Sequence, residues 1–220
     1  MKDSKYIDHT LLKAVATEDQ ILKLCEEASA YDFKSVCVNP TWVSTAKHVL
    51  HKTDVLVCTV IGFPLGANTI DVKAYETTKA IADGADEVDM VINIGRAKMH
   101  DWDYIEKEVK AVVDAANGVL VKVIIETCYL TDEEKKEVCV RATNAKATFV
   151  KTSTGFGTGG ATPEDVKLMK SSISDDMFVK ASGGVRNYDD LKAMVDAGAS
   201  RIGASSGVAI MNNKSSKENY

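Results

Sequence analysis

Four times along this chain an amphipathic segment runs to a small-residue turn and gives way to a short β-rich run. Ala82-Asp83-Gly84-Ala85 precedes Glu87-Val88-Asp89-Met90-Val91-Ile92, and Ala116-Asn117-Gly118 precedes Leu120-Val121-Lys122-Val123-Ile124-Ile125. Asn144-Ala145-Lys146-Ala147 leads to Phe149-Val150-Lys151, and Asp196-Ala197-Gly198-Ala199 leads to Arg201-Ile202-Gly203. A glycine or asparagine just past a helix takes the left-handed conformation cheaply, stops the helix and lets the chain turn into a buried strand. Helix starts are as legible: Thr17 with Gln20 and Thr131 with Glu134 have capping-box spacing. Asn39-Pro40 and Thr162-Pro163 each place a cap residue before a proline at the first helical position, and Asn187 precedes a further helical segment. Ile105, Val109 and Val112 recur at helical spacing between residues 102 and 116.

Eight strands follow from this pattern, near residues 6–9, 34–38, 55–60, 86–92, 120–126, 148–152, 177–181 and 200–203. They are too apolar to be half exposed, and strands that alternate with helices and are buried on both faces make a parallel sheet. Eight such units in 220 residues predict an α/β protein with a single-domain (β/α)8 TIM barrel over residues 1–211 and a flexible tail over 212–220, rich in Asn, Ser and Lys. An open flavodoxin-like sheet needs only about five strands and leaves part of the chain unexplained.

The balance of 27 basic against 32 acidic residues, a formal charge of −5, argues against general binding to nucleic acid or anionic membrane, while allowing one small basic pocket. No apolar run approaches the roughly 18 residues of a membrane span, and no apolar stretch follows the N-terminus as in a signal peptide. Cys25, Cys37, Cys58, Cys128 and Cys139 are odd in number and scattered, as expected of reduced thiols in a cytoplasmic protein. Cys37, near the end of the second strand, is read as a packed thiol in preference to a reactive one. No metal or other cofactor is expected: His9, His48, His51 and His100 show no ligand spacing, and GxxxxGK[ST] is absent.

Charged residues inside barrel strands are the informative exceptions. Asp89, Lys122, Lys151 and Lys180 each sit in an apolar run, and lysine is almost never fully buried without a partner. The structural explanation is that these lysines reach the barrel rim and pair with carboxylates such as Asp89 or Glu126. The functional one is that Lys151 and Lys180, near the C-terminal ends of consecutive strands, meet where barrel enzymes build active sites. An ammonium about 5 Å from a second amine costs about 3 kcal/mol at an effective dielectric of about 20. That is roughly two pKa units, enough to help leave one lysine as a neutral nucleophile. Asp89 is then a candidate for proton transfer.

Two glycine loops follow the last two strands, Ala181-Ser182-Gly183-Gly184-Val185-Arg186 and Ile202-Gly203-Ala204-Ser205-Ser206-Gly207. Barrels frequently bind phosphate there, with backbone N–H groups, serine hydroxyls and a helix start as donors. A third run, Thr152 to Gly160, follows Lys151 and could cover the site. A phosphosugar isomerase or synthase, or a non-catalytic phosphate-binding barrel, would also keep the glycine loops, but neither needs Lys151 beside Lys180.

Taken together, Tyr6-Ile7-Asp8-His9-Thr10-Leu11, Val36-Cys37-Val38-Asn39-Pro40, Glu87 to Asn93, Phe149 to Phe156 and Val179 to Arg186 resemble the deoxyribose-phosphate aldolases, a family of class I aldolases, over essentially the whole chain. The resemblance implies a lyase that cleaves 2-deoxy-D-ribose 5-phosphate reversibly to D-glyceraldehyde 3-phosphate and acetaldehyde. It implies Lys151 as the Schiff-base lysine, Lys180 as the group that lowers its pKa, and Asp89 as the proton relay. Asp8 and Lys122 would complete the polar network, and Gly155, Gly183, Gly184, Gly203 and Ser205 would hold the phosphate of the small-molecule sugar phosphate. Tyr220 matches a tyrosine with which the family often ends and would bring a phenol to the enamine carbon. Relatives are often dimers, which makes a homodimer the expected assembly. Some relatives carry a basic residue where this chain has Phe156, so fewer cations would face the phosphate here.

Overall fold

The structure is a computed structural model that describes residues 2–214. Eight parallel strands close into a barrel in sequence order: β1 (Ile7–Leu11), β2 (Ser35–Val38), β3 (Leu56–Ile61), β4 (Glu87–Val91), β5 (Leu120–Ile124), β6 (Phe149–Lys151), β7 (Phe178–Ser182) and β8 (Ala199–Ala204). Strand β8 pairs back onto β1, with Asp8 opposite Gly203, so no edge is left open. Each strand lies within two residues of the position the sequence pattern predicts. Around them run α1 (Glu18–Ala30), α2 (Val43–Leu50), α3 (Ile70–Ala82), α4 (Ile94–Lys98), α5 (Trp102–Ala116), α6 (Asp132–Asn144), α7 (Pro163–Lys170), α8 (Tyr188–Asp196) and α9 (Gly207–Met211).

The helix boundaries show the expected chemistry. Thr17 and Thr131 make reciprocal capping boxes with Gln20 and Glu134, and the side chains of Thr162 and Asn187 accept from backbone N–H groups three residues on. Gly84, Gly118 and Gly198 take positive φ just past their helices. The third joint differs from expectation. Asn144 is still helical, and Lys146 adopts the left-handed conformation at φ 64°. A non-glycine residue tolerates a single such step at modest cost. Thr131→Ala is expected to destabilise the protein by about 1 kcal/mol, read as a shift in the urea midpoint at unchanged m-value.

The main apolar core lies outside the barrel, between the outward strand faces and the helices. Val88 and Met90 of β4 share it with Ile105, Val109 and Val112 of α5, all of them fully buried. Each such side chain stabilises the fold by roughly 1.5–3 kcal/mol relative to exposure. A buried ion pair crosses this layer: Lys73 Nζ donates to Glu108 Oε1 at 2.6 Å and to the carbonyls of Gly66 and Val91 at 2.7 Å. Glu108 Oε2 in turn accepts from the Asn93 N–H at 2.8 Å. The pair ties the β3–α3 loop to the end of β4 and so fixes the strand that carries Asp89.

The barrel interior, by contrast, is mostly polar. Asp8, Ser35, Glu87, Asp89, Lys122, Lys180 and Arg201 are buried, and only a small apolar patch of Leu12, Cys37, Cys58 and Val60, with Phe63 against it, lies apart from the main core. A register shift between Val179 and Lys180 puts Lys180 opposite Arg201, so both point inward although Val179 pairs with Ala199. Bulges of this kind re-aim side chains beside functional sites.

Candidate active site

Period-2 alternation and register bring the charged strand residues to one place. Asp89 pairs with Lys122 across β4 and β5, and Lys151 with Lys180 across β6 and β7. Asp89 stands at the centre, and its two oxygens have different surroundings. Oδ1 accepts from Lys122 Nζ at 2.8 Å and from the Cys58 thiol at 3.1 Å, while Oδ2 accepts from Lys151 Nζ and Lys180 Nζ, each at 2.8 Å. Lys180 Nζ also pairs with Asp8 Oδ2 at 2.6 Å. Asp8 Oδ1 receives Arg201 Nε at 2.8 Å and the Ser35 hydroxyl at 2.8 Å. Arg201 reaches on to Glu87, which closes the circuit by accepting from Lys122 at 2.6 Å.

Burial by itself would raise the Asp89 carboxyl, but Lys122, Lys151 and Lys180 overcome it and hold the group well below the usual carboxylate range. Burial would likewise push Lys180 down, yet Asp8 and Asp89 hold it well above an ordinary lysine. Lys122 is raised against its own burial by Asp89 and its neighbours, and Asp8 is lowered by Arg201 and Lys180. These are the carboxylate-stabilising and cation-stabilising halves of one network.

The three lysines are not equivalent. Lys122 and Lys180 are wholly buried, whereas Lys151 keeps 3 % of its surface, at the C-terminal end of β6. It is the member of the set that meets the mouth of the barrel. At the same end of the barrel, where β6, β7 and β8 run into their loops, a cavity of about 210 Å³ is lined by Gly155, Gly160, Gly183, Gly184, Gly203 and Ser205, with Arg186 also on its wall. Gly183 and Gly184 take consecutive φ values of 82° and 83°, which side-chain-bearing residues rarely adopt. The loops pack so closely that a Cβ on Gly160 would stand 2.3 Å from the Gly183 carbonyl oxygen.

Every site residue expected from the sequence and lying within the described residues belongs to one of these two constellations; Tyr220 lies outside the described residues. Cys37 is buried, as a packed thiol would be, and Phe156 is half exposed with its ring edge-on to Phe63 at 5.4 Å. Among the described residues Cys37, Cys58 and Asp89 come close enough together to share an ion, but both Asp89 oxygens already face lysines. Two expectations need correction or extension. Of the two carboxylates named as partners for the strand lysines, Asp89 takes that place; among the described residues Glu126 pairs with no lysine, and its carboxylate turns to Thr154. Arg201, an arginine inside β8, carries the same signal as the strand lysines and joins their network, while Arg186 lies in the loop after β7.

Residues 4–217 match the family described as DeoC/LacD family aldolase. The chain belongs to the DeoC/LacD family of aldolases. It is thus a carbon–carbon lyase on a TIM barrel. A deoxyribose-phosphate aldolase of Streptococcus sanguinis is 61% identical over 220 residues, the whole of both chains, and one of Streptococcus gordonii is 62% identical over the same extent. Among solved structures, a putative deoxyribose-phosphate aldolase from Coccidioides immitis superposes with a TM-score of 0.93 at 44% identity, covering 95% of this chain and 84% of that one. The deoxyribose phosphate aldolase of Aeropyrum pernix, described as a unique tetramer, gives 0.90 at 35% identity, over 96% and 89%. No described helix of this DeoC/LacD member is long and apolar enough to cross a membrane.

Proposed function

We propose that this aldolase cleaves 2-deoxy-D-ribose 5-phosphate to D-glyceraldehyde 3-phosphate and acetaldehyde through a Schiff base on Lys151. The observation that carries the reading is the shared contact of Lys151 and Lys180 with Asp89 Oδ2, in which only Lys151 reaches the mouth of the barrel. The relatives' printed names supply the substrate class, and the glycine-lined cavity at the C-terminal end of the barrel suits a phosphate.

The chemistry assigns each group a task. The neutral Lys151 Nζ attacks the substrate aldehyde carbon, and the carbinolamine loses water to give an iminium. Loss of the C3 hydroxyl proton to a base breaks the C2–C3 bond, sending its electron pair into the enamine and releasing glyceraldehyde 3-phosphate. Protonation at C2 and hydrolysis of the iminium then free acetaldehyde and Lys151. Lys180, kept as an ammonium by Asp8 and Asp89, is a fixed positive charge beside the attacking amine. Asp89, held as a carboxylate by the three lysines around it, relays protons between Lys151 and the substrate through Oδ2. Lys122 and the Cys58 thiol anchor Oδ1 and so aim Oδ2 at the reacting lysines. Gly155, Gly183, Gly184, Gly203 and Ser205 hold the phosphate, with Arg186 on the cavity wall as a cation. On this reading the chain forms one domain over residues 1–211, and its free cysteines suit the cytoplasm. A homodimer is the assembly we propose, and Tyr220 is retained as a candidate proton donor to the enamine.

Borohydride reduction in the presence of 2-deoxyribose 5-phosphate, followed by peptide mapping, tests the reading. A reduced adduct on Lys151 is expected. Binding of the sugar phosphate with no adduct on any lysine would replace the aldolase mechanism with that of an isomerase or a binding barrel.

A further inference from the structure

Glu126 is a buried ionisable residue for which the catalytic scheme has no use. It lies two residues past β5, between two residues that continue the parallel pairing: Ile125 N–H donates to the Lys151 carbonyl at 3.0 Å, and Thr127 N–H to the Thr152 carbonyl at 3.0 Å. Between them Glu126 is left-handed, at φ 54° and ψ 68°, and 2 % exposed. A non-glycine residue in that region costs on the order of 1–2 kcal/mol, which a glycine would avoid. The side chain is therefore worth more to the fold than the relaxed backbone.

Its contacts show where that worth lies. The left-handed step swings the carboxylate across to the loop that follows the strand carrying Lys151. There it accepts from the Thr154 N–H, at 3.2 Å to Oε1 and 3.4 Å to Oε2, and from the Thr154 hydroxyl. Thr154 Oγ1 passes the constraint on by accepting from the Phe156 N–H at 3.0 Å. The following glycines lie against the same surface. A Cβ on Gly157 would come within 2.9 Å of Cys128 Sγ and 3.2 Å of Glu126 Cδ, and one on Gly159 within 3.0 Å of Cys128 Cβ. Glu126 and the turn Thr127–Tyr129 are thus the bed on which Gly157 and Gly159 rest, and both line the cavity together with Gly155 and Gly160.

We propose that Glu126 is a positioning residue that sets the phosphate subsite, by clamping the β6–α7 loop through the Thr154 amide and hydroxyl. The inference rests on the phosphate reading of the cavity given above. It separates two properties that a general structural defect would change together. Loss of the clamp lets the glycine loop drift from the phosphate, while Lys151, Lys180 and Asp89, held by their own network, keep their geometry.

Steady-state kinetics of wild type, Glu126→Ala, Glu126→Gln and Thr154→Val with 2-deoxyribose 5-phosphate and with unphosphorylated 2-deoxyribose make the test. Glu126→Ala and Thr154→Val are expected to raise KM for the phosphate ester on the order of tenfold, with kcat within about threefold and kcat/KM on the free sugar within about twofold. Glu126→Gln keeps an acceptor for the Thr154 amide and recovers part of the loss. Equal losses on both sugars, or none on the phosphate ester, overturn the proposal. Should Glu126→Ala not fold, the other two variants carry the same comparison. Titration with inorganic phosphate by calorimetry judges the clamp even if the aldolase reading itself fails. A Kd weakened on the order of tenfold in Thr154→Val supports the clamp, and an unchanged Kd sinks it.

Discussion

A Lys151→Met enzyme is expected to fold normally and to lose at least about 10⁴-fold in kcat/KM for cleavage of 2-deoxyribose 5-phosphate. Methionine occupies most of the space of the lysine stem, so the end of β6 keeps its packing. Asp89 retains Lys122 and Lys180 as partners, and the network survives the loss of one cation. What disappears is the amine that faces the mouth, and the two buried lysines cannot replace it from their positions behind Asp89. Residual turnover within about 100-fold of wild type, with an unchanged circular dichroism spectrum, would show that the imine forms elsewhere or not at all.

Replacing Asp89 with asparagine should damage both chemistry and stability. Three ammonium groups converge on this carboxylate inside the barrel, and the amide leaves them with one negative charge fewer. Removing one partner from a buried charge cluster costs about 3–5 kcal/mol, and losing a proton relay about 10²–10⁴-fold in kcat. Chemical denaturation and initial rates would measure the two losses. A variant that keeps wild-type stability would mean the lysines find other counter-charges, and one that keeps wild-type kcat would remove Asp89 from the mechanism.

The same network sets the response of the wild type to pH. Asp8, Glu87 and Asp89 are all lowered in the folded protein, so their contribution is full above about 4, the usual carboxylate value, and is lost as the pH falls toward their lower folded values. Lys122 and Lys180 are raised, so theirs is full below about 10.4 and is lost only at higher pH. A level melting temperature between about pH 5 and pH 9, with a steep fall below pH 4, is therefore part of the same expectation.

The barrel was readable because its determinants are local. A capping threonine, a glycine past a helix and an apolar run each act within a few residues, and these signals repeat around the fold. Lys151, Lys180, Asp89 and Lys122 stood out because charge inside an apolar strand is a local contradiction. Lys73 and Glu108 did not, since both sit in helices where charge is ordinary. Only the shared face of Lys73 with Thr77 and Ala80 hints that α3 turns this lysine inward. Glu126 was legible as a carboxylate but not as a partner of Thr154, because its direction depends on a left-handed backbone step that no residue type there announces. The bulge beside Lys180 is equally silent, for Val179 and Lys180 read as an unbroken strand.

The interior network also has a consequence for the energetics of covalent capture. Lys122, Lys151, Lys180 and Arg201 face Asp8, Glu87 and Asp89, four cations against three anions. An ammonium and an iminium carry the same charge, so this lattice is electrically the same with the lysine free and with the sugar attached. The neutral amine, the carbinolamine and the enamine instead leave three cations against the three anions. The barrel therefore balances its interior charge at the neutral states, and carries one surplus positive charge while Lys151 is an ammonium or an iminium.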